Sequence, residues 1–136
     1  CAGISQASEY ARIDNEAFRI LRANLPGPFT FVLPASPRLA KAFKGRKEAG
    51  VRVPASAIAR RLAEELGNPL LSTSAIWDDA DQEQLALADE VQMRFGHQVD
   101  AFIDAGNAQA RPTAIIDLSD SSSPEILREG YAEIEK

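Results

Sequence analysis

The chain has 136 residues, 45% of them hydrophobic and 26% charged, with a formal net charge of −5. These proportions suit one folded domain with its own core and exclude a largely disordered chain. The acidic balance excludes a purely electrostatic nucleic-acid binder, and one cysteine (Cys1) with one histidine (His97) excludes both a disulfide framework and a structural zinc site.

Asp14-Asn15-Glu16 ahead of Ala17, Phe18, Ile20, Leu21 and Leu25 predicts a capped helix, because a short polar side chain can accept from free N–H groups and the apolar positions recur at helical spacing. Pro26-Gly27-Pro28 ends it. The β-branched and aromatic run Phe29–Leu33 predicts a central strand, and Arg38–Phe43 a short helix. In Gly50–Pro54 the alternation predicts a strand with Val51 and Val53 on one face and Arg52 on the other. Ser56 then caps an amphipathic helix to Leu66, with Ile58, Leu62 and Leu66 expected to form one buried stripe.

Gly67-Asn68-Pro69 stops that helix, and Leu70–Ser74 is predicted to be a short strand entering a loop. The acidic stretch Asp78–Asp81 is expected to open a helix running to Phe95, ended by Gly96, with His97 as a partner for the helix C-terminus. Val99–Ile103, Thr113–Leu118 and Glu125–Arg128 read as further strands, and the polar stretch Ser119–Ser123 is where disorder is most expected. Strands alternating with helices predict an α/β fold, a mixed sheet flanked by helices, formed as a single domain over residues 1–136. Cysteine usage, short apolar runs and the lack of a signal-like opening predict a cytoplasmic protein with no membrane contact.

No phosphate loop, dinucleotide fingerprint or nucleophile-elbow motif occurs. The chemistry-bearing residues are instead polar side chains at the ends of apolar strands. Arg52 stands between two valines, where a guanidinium must reach an anion or water. Ser72, Thr73 and Ser74 offer hydroxyls that suit either an anion cradle or a turn. Thr113 opens a strand after Pro112, and Arg128 closes one with Gly130 two residues on, where a ligand could approach the backbone. Lys41, Lys44, Arg46 and Lys47 form a local basic face.

Five blocks follow in order: Pro26-Gly27-Pro28-Phe29-Thr30-Phe31-Val32-Leu33, Val51-Arg52-Val53-Pro54, Asn68-Pro69-Leu70-Leu71-Ser72-Thr73-Ser74-Ala75, Thr113-Ala114-Ile115-Ile116-Asp117-Leu118 and Leu127-Arg128-Glu129-Gly130. The series resembles the YrdC/Sua5/YciO family, and the Ser-Gln and Asp-Asn-x-Ala-Phe-Arg stretches near the start resemble its YciO branch. The resemblance implies a YrdC-like twisted sheet with a concave ligand cleft, of which these residues would be the C-terminal two-thirds.

It also implies a nucleotide- and RNA-binding protein related to the threonylcarbamoyl-AMP synthases of tRNA t6A modification. Those enzymes join L-threonine, bicarbonate and ATP, releasing pyrophosphate, with Mg²⁺ accompanying ATP. Carried over residue by residue, Arg52, Ser72 and Thr113 would bind substrate, and Thr30, Ser74 and Arg128 the nucleotide; no catalytic residue and no protein-held metal are assigned. Ile76 departs from the synthase pattern Ser-x-Asn, and an aliphatic chain cannot make an amide's hydrogen bonds. The alternatives are a non-catalytic module binding double-stranded RNA or tRNA, and a regulatory domain of a carbamoyltransferase-type enzyme.

Overall fold

The computed structural model describes residues 1–43 and 45–136, which divide into two compact units: Cys1–Leu71 with Pro112–Lys136, and Ser72–Arg111. Strand β1 (Phe29–Pro34) alternates between buried and half-buried positions, as its sequence predicts. It pairs antiparallel with β2 (Glu48–Val51) and parallel with β3 (Ala114–Asp117), which pairs antiparallel with β4 (Glu125–Arg128). The result is a mixed four-stranded sheet of order β2-β1-β3-β4, with β1 internal.

Helices α1 (Ile4–Tyr10) and α2 (Asn15–Asn24) cover one face. Asp14 caps α2, its carboxylate accepting from the Ala17 N–H at 2.8 Å. From these helices Ala7, Ala17, Ile20 and Leu21, with Ala11 just past α1, meet Phe29, Phe31, Leu33, Val51, Ala114, Ile116 and Leu118 of the strands and their ends. Phe31, Leu21 and Leu33 lose essentially all contact with solvent, so this seam carries most of the hydrophobic stabilisation of the unit. Asn24 takes the next position of the buried α2 stripe. Its amide donates to the carbonyls of Ile20 and Glu135 at 2.7 Å each and accepts from the Glu135 N–H at 2.8 Å.

The structure corrects several expectations. Helix α1 has no counterpart in the sequence reading. The second strand ends at Val51, leaving Arg52, Val53 and Pro54 just past it. Ser56 does cap α4 (Ala57–Leu66), and Gly67 ends it in the left-handed conformation at φ 73°. The expected buried stripe, however, is outward: Ile58, Leu62 and Leu66 are 46%, 43% and 55% exposed. The helix turns Ala63 inward instead, where Gln6 Nε2 donates to the Ala63 carbonyl at 3.1 Å. The small side chain permits that close approach.

Leu70–Ser74 and Val99–Ile103 are not strands, because a strand needs a ladder partner and neither segment joins the sheet. Ser119–Ser123 is ordered by local turns, with the Ser123 N–H donating to the Asp120 carbonyl and the Ser122 N–H to the Asp120 carboxylate. Helix α3 (Pro37–Ala42) is present as expected, while Lys44 lies outside the described residues.

In the second unit the expected single helix is two, α5 (Gln82–Ala86) and α6 (Ala88–Phe95). Asp81 and Gln84 form a reciprocal capping box at the start of α5. Leu87 is extended between the helices, and the side-chain oxygen of Asn107 accepts the freed Ala88 N–H at 3.1 Å, which stabilises the interruption. Trp77 and Phe95 pack edge to face, with ring centroids 5.8 Å apart. His97 lies exposed in the turn beyond Gly96. No helix among the described residues is long and apolar enough to cross a membrane.

Candidate functional site

The face of the sheet opposite α1 and α2 carries the polar residues. The β1–β3 register sets Thr30 beside Ile115, and the β3–β4 register sets Ile115 beside Arg128. On the other side Phe31 pairs with Val51, where the ladder ends, and Arg52 follows just past it. The burial pattern agrees: Val51 and Val53 are buried and Arg52 is exposed between them. Thr30, Ile115 and Arg128 therefore form one row across the sheet, with Arg52 just past the end of β2 on the same face.

Each member has a local reason for its position. Thr30 is half-buried and lies against Gly50, where an added Cβ would come within 3.1 Å of the Thr30 methyl. Glycine here keeps the β1–β2 corner of the face shallow. Arg52 is held by its backbone, its carbonyl accepting from the Cys1 amino group at 2.7 Å, and the Val53 carbonyl accepts from Gly27 at 3.0 Å.

Arg128 reaches back to Thr113. Its Nε donates to the Thr113 carbonyl at 3.0 Å, while Nη2 donates to that carbonyl at 2.8 Å and to the Thr113 hydroxyl at 3.1 Å. Gly130, where the sequence suggested that a ligand could approach the backbone, is instead filled by the chain itself, because a Cβ there would lie 2.7 Å from the Thr113 carbonyl carbon and still nearer the Ala114 nitrogen.

Thr30, Arg52, Thr113 and Arg128 thus belong to one face of the first unit. Ser72 and Ser74 are exposed and belong to the second unit, so the arrangement built from the first unit does not include them. Two neighbours on the face escaped the sequence reading. Gly50 and Asp117 follow from the same period-two count, Gly50 from Arg52 and Asp117 from Ile115. Bonds from Ser119 to the Asp117 carboxylate hold its pKa below the ordinary aspartate value. Of the expected basic face, Arg46 and Lys47 are exposed just before β2, while the Lys44 position lies outside the described residues. No group of three or more His, Cys, Asp or Glu able to hold a metal occurs among the described residues.

The Sua5/YciO/YrdC family, described as "Telomere recombination", matches residues 1–130. The chain belongs to this family. The uncharacterized protein YciO of Escherichia coli strain K12 is 36% identical over 98% of the chain, and the crystal structure of E. coli YciO superposes with a TM-score of 0.85. The chain spans 65% of the length of that relative. The threonylcarbamoyl-AMP synthase of Chromobacterium violaceum is 40% identical over 68% of the chain and 48% of its own length. P. abyssi Sua5 complexed with L-threonine gives a TM-score of 0.75 at 30% identity, covering 94% of this chain and 38% of that one. Likeness to YciO combines near end-to-end coverage with higher identity and TM-score than likeness to Sua5, which places this sequence on the YciO side of the family.

Proposed function

We propose that the open face of the first unit is the amino-acid and nucleotide face of a threonylcarbamoyl-AMP synthase-type site, in a YciO-type member of low turnover. The observation that carries this reading is the row of Thr30, Ile115 and Arg128 with Arg52 just past β2 on the same face, which sets a threonine hydroxyl between two guanidinium groups. Two guanidinium groups on one face suit a ligand pair with a carboxylate at one end and phosphates at the other. Arg52 would hold the L-threonine carboxylate, a bidentate task for a planar fork. Arg128 would face phosphate oxygens, and Thr30 would lie beside the nucleotide.

In the reaction an oxygen of the threonine carbamate, formed with bicarbonate, attacks the α-phosphorus of ATP. The bond to the β-phosphate bridging oxygen breaks, and pyrophosphate leaves. The chain's part is to position the two reactants and to stabilise charge on the phosphate oxygens. Mg²⁺ enters this reading on the ATP phosphates, as part of the substrate. The solved structure of a relative with L-threonine and the identity to a named synthase support it. Ile76, which departs from the Ser-x-Asn pattern that the resemblance implies for the synthases, is the ground for reading the turnover as low.

Pyrophosphate release from ATP by the full-length protein, with L-threonine and bicarbonate present, tests the reading. Release is expected above background and lost in Arg52→Ala; background release by the intact protein removes the enzymatic assignment.

A second reading, a module that binds tRNA or double-stranded RNA without catalysis, is favoured by exposed Arg46, Lys47 and Arg52 flanking β2. It predicts RNA affinity that falls steeply between low and physiological salt. No RNA binding at low salt excludes it.

A further inference from the structure

A guanidinium carries five N–H donors in one plane. In Arg128, one donor on Nε and two on Nη2 are committed to the carbonyl and hydroxyl of Thr113, 15 residues away in sequence. These bonds occupy the Nε–Nη2 edge, one of the edges by which an arginine grips a planar carboxylate with two parallel bonds. What remains is Nη1, with its two N–H groups.

Both partners supplied by Thr113 are neutral. An arginine kept only for structure commonly meets a carboxylate, which cancels its charge. Here the charge is oriented without being cancelled, which suits a group that waits for an anion. Arg52 differs: among the described residues no ion pair or side-chain hydrogen bond holds its guanidinium. The two arginines of this face therefore present different chemistry, a free fork at Arg52 and a single nitrogen at Arg128.

We infer that Thr113 is a positioning residue that acts through Arg128, fixing the guanidinium so that its Nη1 end meets a phosphate oxygen. The division of labour follows from shape. A flat carboxylate gains from both arms of a fork, which Arg52 has free. A tetrahedral phosphate, with several equivalent oxygens, is satisfied by a single nitrogen end-on. Thr113 then makes no contact with the ligand itself, and its hydroxyl matters because it stops rotation about the Cζ–Nη2 bond. The choice of ATP as the ligand rests on the reading under Proposed function; the positioning does not.

Two measurements on the full-length protein keep these apart. In ¹⁵N-resolved NMR spectra without ligand, the Nη–H signals of Arg128 are expected to be distinct in the wild type and in Thr113→Ser, and to merge in Thr113→Val. Merged signals in the wild type, or distinct signals in Thr113→Val, overturn the positioning role.

In ATP titrations by calorimetry, Thr113→Val is expected to weaken binding about threefold to tenfold, the range for losing one hydrogen bond. Thr113→Ser should restore it, and Thr113→Val should add nothing in an Arg128→Ala background. An undiminished loss in that background shows that Thr113 acts independently of Arg128 and overturns the inference. Failure of the wild type to bind ATP removes the proposed ligand, while the NMR comparison still decides whether Thr113 positions Arg128.

Discussion

Gly130 lies against the backbone of Thr113 and Ala114 so closely that no side-chain carbon fits between them. This contact, with the Tyr131 N–H donating to the Pro112 carbonyl at 3.1 Å, draws the end of β4 over the start of β3. It thereby brings Arg128 within reach of Thr113. Gly130→Ala is expected to push the two segments apart, at a cost of about 1–3 kcal/mol, because the obstruction is backbone and cannot rotate away. Urea denaturation measures the loss, and a midpoint equal to the wild type would show that the corner yields freely.

Replacing Arg128 by lysine keeps the charge and removes the planar edge. One ammonium cannot reproduce donors from two nitrogens of a rigid fork. Arg128 is exposed, so the expected change in stability is no more than about 1 kcal/mol. The larger effect should fall on ATP affinity, read by calorimetry. Wild-type affinity in Arg128→Lys would show that a simple point charge suffices at this end of the row.

Asn24 ties the chain terminus to α2 through paired bonds with the backbone of Glu135. Asn24→Leu keeps the apolar stripe continuous but leaves those backbone groups without their partner. A loss of about 1–3 kcal/mol is expected, with faster hydrogen exchange at Glu135. Unchanged exchange at that amide would mean that the tail is held by Ala132 and Ile134, which pack on the core.

Asp14 accepts from Ser121 Oγ at 2.6 Å and from the Ala17 N–H, and these bonds lower its pKa below the ordinary value, the Ser121 bond most. A carboxyl whose pKa is lower in the folded state stabilises the fold above its unfolded pKa. That contribution is lost as pH falls through the lower, folded value. Asp117 acts in the same direction. Ser121→Ala is therefore expected to raise the Asp14 titration midpoint toward the ordinary range, followed by NMR of the carboxyl carbon. Asp14→Asn, which keeps a capping side chain, should make the acid limb of the stability curve shallower. A midpoint unmoved by Ser121→Ala would contradict the hydrogen-bond cause.

Local signals carried much of the fold. The Asp14 and Ser56 caps, the stop at Gly67 and the apolar run of β1 each depend on groups within a few residues, so spacing alone reveals them. The same spacing misjudged α4. An apolar stripe states which face is able to be buried, and the surfaces actually present decide whether it is. Leu70–Ser74 failed for a related reason: β propensity becomes a strand only where another strand offers hydrogen bonds. The broken helix at Leu87 depended on Asn107, 19 residues from the amide that it accepts.

By itself, then, the sequence determined the α/β class, the internal place of β1, the principal helix caps and, through five ordered motifs, the family. Periodicity and capping are short-range physics, and motif order survives without knowledge of contacts. Only the tertiary structure decided which polar residues share a face. The row from Thr30 to Arg128 exists because strand register aligns residues far apart in the chain. The hold of Thr113 on Arg128 exists because a glycine lets two backbones meet, a packing event between segments that no local pattern records.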